Sequence, residues 1–358
     1  MDGRECTMEN MVMIVNIIKQ IIKQYKKYAF YYATKNIIYH ALTQERKKCF
    51  GKDNADKTFY VIRSIAVNSP FYIGPTNHLL ANYFYVLSHL KYAEIKGWIP
   101  IVDQLNYPVY NSIDNSNAWE YYWNQPCQYT LEEVYNSRNV VLSKRNWISE
   151  WDMGYDIKKY KDEKVVSFYY GLMKRVPLNI QTQQYIQGKI VWPKGKIIGV
   201  SYRYGGHSKT CNIPAQGHPV QPDIEIIFKT TIELMHKLKI DYVFISSDIK
   251  EAIEYFKVRL PNKVIYLERL RYSVNLNRNE RNCIYEDNNI SQTTLDYLTE
   301  MEYLAKCNAI IGSINSGFRY AIVKNNNKYE YKYIFDAGYL EDNRLKNSIK
   351  GEKNNNDR

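Results

Sequence analysis

The sequence predicts an α/β protein of two domains, and three observations carry that prediction. The chain has 358 residues, enough to bury two cores of ordinary size. From Lys196 onward, β-rich runs alternate regularly with helical stretches, the pattern that builds a doubly wound parallel sheet. Nearer the N-terminus, a strand, a polar turn, a long helix and a second strand make a βαβ unit. The composition, 45% hydrophobic and 24% charged with 16 Gly and 11 Pro, excludes collagen-like, low-complexity and wholly disordered chains. The 35 tyrosines, with abundant Ile, Lys and Asn, fit AT-rich codon usage.

Within residues 8–48, Ile14, Ile17, Ile18, Ile21, Ile22 and Tyr25 recur at helical spacing, interleaved with Lys19, Lys23, Lys26 and Lys27. Residues 1–50 are therefore expected to form an amphipathic basic helical extension, which packs on the body or lies on an anionic membrane surface. The apolar run from Met11 to Val15 is far short of the ~20 residues that span a bilayer, and no secretory signal is evident. A cytoplasmic protein, at most peripheral on the inner face of the membrane, is expected.

Residues 56–190 read as the first Rossmann-like domain. A strand at 58–62 leads to a turn through Gly74, Pro75, Asn77 and His78, then a helix at 78–96 closed by Gly97, and a strand at 98–102 before Asp103. Shorter helices are expected near 131–136 and 160–174. Residues 195–337 read as the second such domain, with strands at 197–202, 242–246, 264–266, 309–311 and 331–335 and helices at 223–238, 249–258, 294–306 and 316–324. Residues 338–358 form a polar tail, frayed at its Asn/Lys-rich end.

The formal charge of +12 is local: residues 1–50 carry +5 and residues 156–210 carry +8, while the remainder is nearly balanced. Neither basic stretch reads as an RNA-binding or zinc-finger motif, so no nucleic-acid partner is expected. The six cysteines are widely spaced without CxxC pairs, which suits reduced thiols.

Ligands of a parallel sheet bind at the carboxyl ends of its strands. Arg203 follows the 197–202 strand, Ser247-Asp248 follows the next, and Gly312-Ser313-Ile314-Asn315-Ser316-Gly317 follows the strand at 309–311. An arginine fork, hydroxyl donors, glycines and a helix N-terminus together suit a phosphorylated ligand. Each also has an ordinary reading: Ser316 as an N-cap, Asp248 with Glu251 as a capping pair, Arg203 as a surface ion-pair partner. The sequence holds no DxD pair, P-loop or GxGxxG fingerprint, which argues against a metal-dependent nucleotide-sugar enzyme, a Walker-type ATPase and a dinucleotide dehydrogenase.

These residues resemble a known family. Ile198-Gly199-Val200-Ser201-Tyr202-Arg203-Tyr204-Gly205 resembles the strand-borne His-x-Arg motif of the GDP-fucose-dependent fucosyltransferases, which include α1,2-, α1,6- and protein O-fucosyltransferases. Phe244 to Asp248, the stretch from Asp296 to Gly317, and the turn Gly74 to His78 resemble three further regions of that family. Asn117 to Pro126 and Gly217 to Pro222 resemble segments of its bacterial-type members. The resemblance covers roughly residues 59–335 and implies a GT-B-like fold, two Rossmann-like domains facing across a cleft, with GDP held by the second.

By position, it implies that Arg203 holds the β-phosphate, Ser316 with its neighbours Ser313, Asn315 and Gly317 contacts the diphosphate, and Asp296 meets the guanine edge. Asp248 joins the donor set, and His218 either faces the cleft beside it or punctuates the loop before the helix start at Pro222. The family's histidine is Ser201 here, and the acidic residue that follows its motif is Gly206. The implied activity is an inverting, metal-independent transfer of fucose from GDP-fucose to a glycan hydroxyl, with no cofactor. Asp103, Glu120 and His78 are the candidate bases on the acceptor side, each with an ordinary role as cap, ion pair or core polar group, and Trp119 and Trp123 are candidates for a sugar platform or for core packing. Two alternatives keep the fold: another donor of GDP-mannose or ADP-heptose type, or a catalytically silent glycan- or nucleotide-binding protein.

Overall fold

The computed structural model describes residues 43–69, 72–75, 79–104, 117–204, 218–275 and 290–339. Two sheets of mainly parallel strands organise it, as the alternation in the sequence predicts. The first contains β1 (Arg46–Lys48), β2 (Phe59–Arg63), β5 (Ile99–Asp103) and β6 (Val140–Leu142) in the order β1-β6-β2-β5. Strand β2 is parallel to both neighbours, and its Phe59, Tyr60, Val61 and Ile62 are fully buried, which is why it reads as an unbroken apolar run. Helix α1 (Leu79–Lys96) crosses between β2 and β5 and ends at Gly97, whose φ of +67° is the left-handed C′ geometry that favours glycine.

Two local expectations are corrected. Helical periodicity does not extend to the end of the 8–48 segment, because Arg46–Lys48 forms β1 and pairs antiparallel with β6 at the sheet edge, where charged side chains reach solvent. Residues 8–42 of that segment lie outside the described residues. Gly74 and Pro75, read as part of a turn, belong instead to β4 (Tyr72–Pro75), which forms a two-stranded antiparallel ribbon with β3 (Ala66–Ser69).

The second sheet is fully parallel, in the order β11-β10-β7-β8-β9. Its strands are β7 (Ile197–Tyr202), β8 (Tyr242–Ser247), β9 (Val264–Ile265), β10 (Ala309–Gly312) and β11 (Tyr331–Ile334). All six residues of β7 are buried, as the central strand of a doubly wound sheet requires. Helix α2 (Leu131–Val134) joins β5 to β6 within the first sheet, and α3 (Ile157–Lys161), α4 (Glu163–Met173) and α5 (Ile180–Ile186) follow β6 in the chain before β7. The capping box between Thr130 and Glu133 starts α2, and Asp162 caps α4 by accepting from the backbone of Lys164 and Val165. The second sheet is covered by α6 (Ile224–Leu238), α7 (Lys250–Arg259), α8 (Ile290–Lys306) and α9 (Ser316–Asn325).

The two sheet units share one apolar core. Tyr83 of α1 meets Tyr320 of α9 with ring centroids 5.5 Å apart, and Trp119, Trp123 and Tyr83 stack within that core. Trp119 and Trp123 are 0% and 2% exposed, so core packing is their role and they offer no open sugar platform. The tail begins docked: Val220 donates to the Gly338 carbonyl, and Tyr339 bridges to Pro219. Residues 340–358 lie outside the described residues.

Candidate functional site

The carboxyl ends of β10, β7 and β8 are neighbours by register, Gly312 opposite Ser201 and Tyr202 opposite Ser247. The three turns singled out in the sequence therefore lie side by side. Asp248 organises the first two. Its carboxylate accepts from the Tyr204 backbone N–H at 2.9 Å and lies 3.5 Å from Arg203 Nε, while its carbonyl accepts from the Tyr272 N–H. Asp248 is buried, whereas the Arg203 side chain is 38% exposed. Such a pair contributes little stability, and its effect is to orient one edge of the guanidinium. The capping pair of Asp248 with Glu251 does not form: Ile249 occupies the N-cap of α7, and Glu251 accepts from Ser273 and Val274.

The turn before α9 is built by its own side chains. Asn315 is the N-cap, accepting from the Phe318 N–H at 3.0 Å and donating to the Ser313 carbonyl. Ser313 is buried and donates to the Val220 carbonyl at 3.1 Å. Ser316 is half-buried at the first position of the helix, where backbone N–H groups lack intrahelical acceptors and the dipole favours an anion. A Cβ at Gly317 would lie 2.6 Å from the Tyr297 hydroxyl, so glycine here lets α9 pack closely against α8.

Other expected donor residues have partners elsewhere. Asp296 faces α5, accepting from the Tyr185 hydroxyl at 2.5 Å and from Gln292 at 3.1 Å. Burial and the Asp296 carboxylate push the Tyr185 phenol up, which keeps it the donor. The next residue, Tyr297, is the one on the Arg203 side, with its ring centroid 5.8 Å from the guanidinium carbon. His218 lies against the Tyr155 ring at 4.6 Å, and two residues later Val220 joins the Ser313 turn.

On the first sheet, Asp103 ends β5 and accepts a hydrogen bond from the Tyr135 hydroxyl. Glu120 is exposed and accepts from Gln125 at 2.6 Å and Asn117 at 3.4 Å, and both amides also bond to the main chain of Val102. Asp103 and Glu120 thus share the carboxyl end of β5. Asn77 and His78 lie outside the described residues.

Sequence reading missed five side chains. Gln221 is buried, and its Oε1 accepts from the Arg203 backbone N–H at 3.2 Å. Glu300 of α8, fully buried, accepts from Arg269 at 2.8 Å, Arg271 at 2.6 Å and Ser246 at 2.7 Å. Arg269 also donates to the Ser247 carbonyl, so this cluster supports the end of β8. Burial pulls the Arg271 pKa down against the pull of Glu300. Arg319, in the first turn of α9, is buried too. A carboxylate on the apolar stripe of the 294–306 helical pattern was the available signal for Glu300.

Among the described residues, no group of three or more His, Cys, Asp and Glu side chains is placed to hold a metal ion, and no helix is long and apolar enough to cross a membrane. No protein-family model matches the chain, and no curated protein matches it. The solved structures to which the chain is similar include fucosyltransferases. The NodZ α-1,6-fucosyltransferase soaked with GDP-fucose is 13% identical, covering 75% of this chain and 92% of its own, with a TM-score of 0.41. A NodZ fucosyltransferase from Bradyrhizobium is 13% identical, covering 74% and 93%, with a TM-score of 0.39. POFUT1 in complex with GDP is 9% identical, covering 78% and 99%, with a TM-score of 0.40.

Proposed function

We propose that the protein is a glycosyltransferase that moves fucose from GDP-fucose to a glycan hydroxyl by an inverting displacement without a metal ion. One observation supports this most: Arg203, fixed by Asp248 and Gln221, stands on a strand end adjoining the turn at the N-terminus of α9. A half-exposed guanidinium beside orphan backbone N–H groups suits the two phosphates of a leaving nucleotide. As the bond to the sugar breaks, negative charge grows on the diphosphate, and donors already held in place stabilise it without reorganising. Asp103 or Glu120, at the edge of the other sheet, would take the proton of the acceptor hydroxyl.

A second reading, the same chemistry with another nucleotide sugar, is favoured by the engagement of Asp296 with Tyr185. Thermal-shift measurements on the full chain with GDP, ADP and UDP, each with and without EDTA, separate the two. The expected outcome is a rise in Tm with GDP alone, unchanged by EDTA, followed by release of GDP from GDP-fucose. A protein stabilised equally by ADP or UDP would replace the guanine assignment, and stabilisation without turnover would make it a silent binder.

A further inference from the structure

Strand β8 outruns one of its neighbours. Strand β9 pairs with it only at Val243 and Phe244, so Ser246 and Ser247 extend past the last register position on that side of the sheet. Backbone groups at a buried strand end need partners, and the segment at 269–274 supplies them. Arg269 Nη2 donates to the Ser247 carbonyl at 2.8 Å, the Tyr272 N–H donates to the Asp248 carbonyl at 2.9 Å, and the Tyr272 carbonyl accepts from the Lys250 N–H at 3.0 Å. Ser273 and the Val274 N–H then donate to the Glu251 carboxylate. The turn that carries Asp248 is thus strapped along its length.

Arg269 also ties that turn to α8. The nitrogen that serves Ser247 donates to Glu300 Oε2 at 2.8 Å, and Ser246 donates to the same oxygen at 2.7 Å. Neutralising Glu300 does not require this guanidinium, because Arg271 already meets the other carboxylate oxygen at 2.6 Å. A second buried cation adds desolvation, and what Arg269 brings in return is a link from the end of β8 to α8. The point of attachment lies three residues beyond Tyr297, and residues three apart share a helix face. Tyr297 has its ring centroid 5.8 Å from the Arg203 guanidinium carbon, and its hydroxyl lies 2.6 Å from where a Cβ on Gly317 would stand. Asp248 from β8 and Tyr297 from α8 therefore flank Arg203, and Arg269 joins their two elements through one nitrogen.

We propose that Arg269 is a positioning residue for Arg203. It sets the separation of the Asp248 turn from the Tyr297 face, and so holds the guanidinium between them in the place where it meets a diphosphate. Donors fixed in advance stabilise a growing charge because they need not move, and an Arg203 free to swing would lose part of that advantage. This deepens the nucleotide-sugar reading and rests on it for the identity of the anion, but not for the bracing of Arg203.

The test is a double-mutant cycle on the full chain, with calorimetric affinities for GDP, inorganic pyrophosphate and guanosine. Arg269→Met is expected to weaken GDP and pyrophosphate about tenfold and to leave guanosine within about twofold. With Arg203→Ala already present, the same substitution should change diphosphate affinity by no more than about twofold, since the residue it acts through is gone. Arg269→Lys, whose ammonium has three donors for the same two oxygens, should stay within about threefold of the wild type. A merely structural arginine predicts a lower Tm and an equal loss of affinity in both backgrounds, and that result overturns the proposal. If Arg269→Met does not fold, Arg269→Gln, which keeps an N–H donor and removes the charge, completes the cycle. Wild-type protein that binds neither GDP nor pyrophosphate would remove the nucleotide-sugar reading, and the bracing is then decided by the ligand-free crystal structure of the same variant. An Arg203 guanidinium displaced by about 1 Å or more from Asp248 and Tyr297 supports it, a shift large enough to matter for catalysis; unchanged positions overturn it.

Discussion

The two sheet units bury different kinds of polar group. In the second, full charges lie inside: Glu300 with Arg269 and Arg271, Asp248 under Arg203, and Arg319 at the start of α9. In the first, the buried polar groups are neutral: His89 with Tyr60, Asn82 with Gln104, and Asn117 with the β5 main chain. Neutral pairs cost little to bury once they are hydrogen-bonded, whereas ions repay burial only in good geometry. The contrast teaches that the second unit retains charge where hydrophobic packing would be cheaper.

Glu300 offers the strongest way to break the contrast. Glu300→Ala leaves two buried guanidiniums facing each other without a carboxylate, and breaking a buried pair in this way costs about 3–5 kcal/mol. Urea titration should show a large drop in midpoint. A loss below about 1 kcal/mol would mean that the cluster is solvated, and the second unit would then resemble the first.

Arg203 comes next. Its half-exposed side chain contributes little to folding, so Arg203→Ala is expected to keep a near-wild-type Tm and to lower GDP binding and donor turnover by about 10²–10³-fold, the range seen when one preorganised donor is removed from a developing charge. The readout is GDP release from GDP-fucose beside calorimetric affinity. Near-normal turnover would sink the assignment of this edge to the leaving group.

Most of the frame behind these contrasts is legible in the sequence. Strands β7 to β11 fall within a residue or two of their expected bounds, because each is an apolar or tyrosine-rich run punctuated by glycine, asparagine or aspartate. Arg203, Asp248 and the α9 turn are legible for the same reason, since each directly follows a strand. What escapes is what depends on distant partners. Glu300 meets Arg269 across 31 positions, and Arg319 meets Gly154 across 165, and no local pattern encodes either contact. Asp296 shows the limit of positional reading. It sits on the expected helix, but its neighbour Tyr297 takes the side toward Arg203, because adjacent helical residues point about 100° apart.

His89 gives the smallest effect and sharpens the neutral side of the contrast. Its Nε2 lies 3.0 Å from the Asn146 carbonyl, which can only accept, so that nitrogen carries the proton. Nδ1 is then the acceptor for the Tyr60 hydroxyl at 2.8 Å. Protonating Nδ1 would break that bond and place a charge in the core. Burial therefore pushes the His89 pKa down to about 3, with help from the charges of Lys144 and Arg63 and against the Asn146 bond. In the unfolded chain the imidazole titrates near its ordinary 6.5. Above that value neither state binds the proton, and stability is independent of this group. Below it the unfolded state binds a proton that the native state refuses, so stability falls by about 1.4 kcal/mol per pH unit until the native value is reached. Urea midpoints between pH 7 and 5 should fall for the wild type and fall less for His89→Gln, which has no titrating ring. Parallel slopes for the two proteins would mean that His89 is protonated in the native core, and that the first unit also buries a charge.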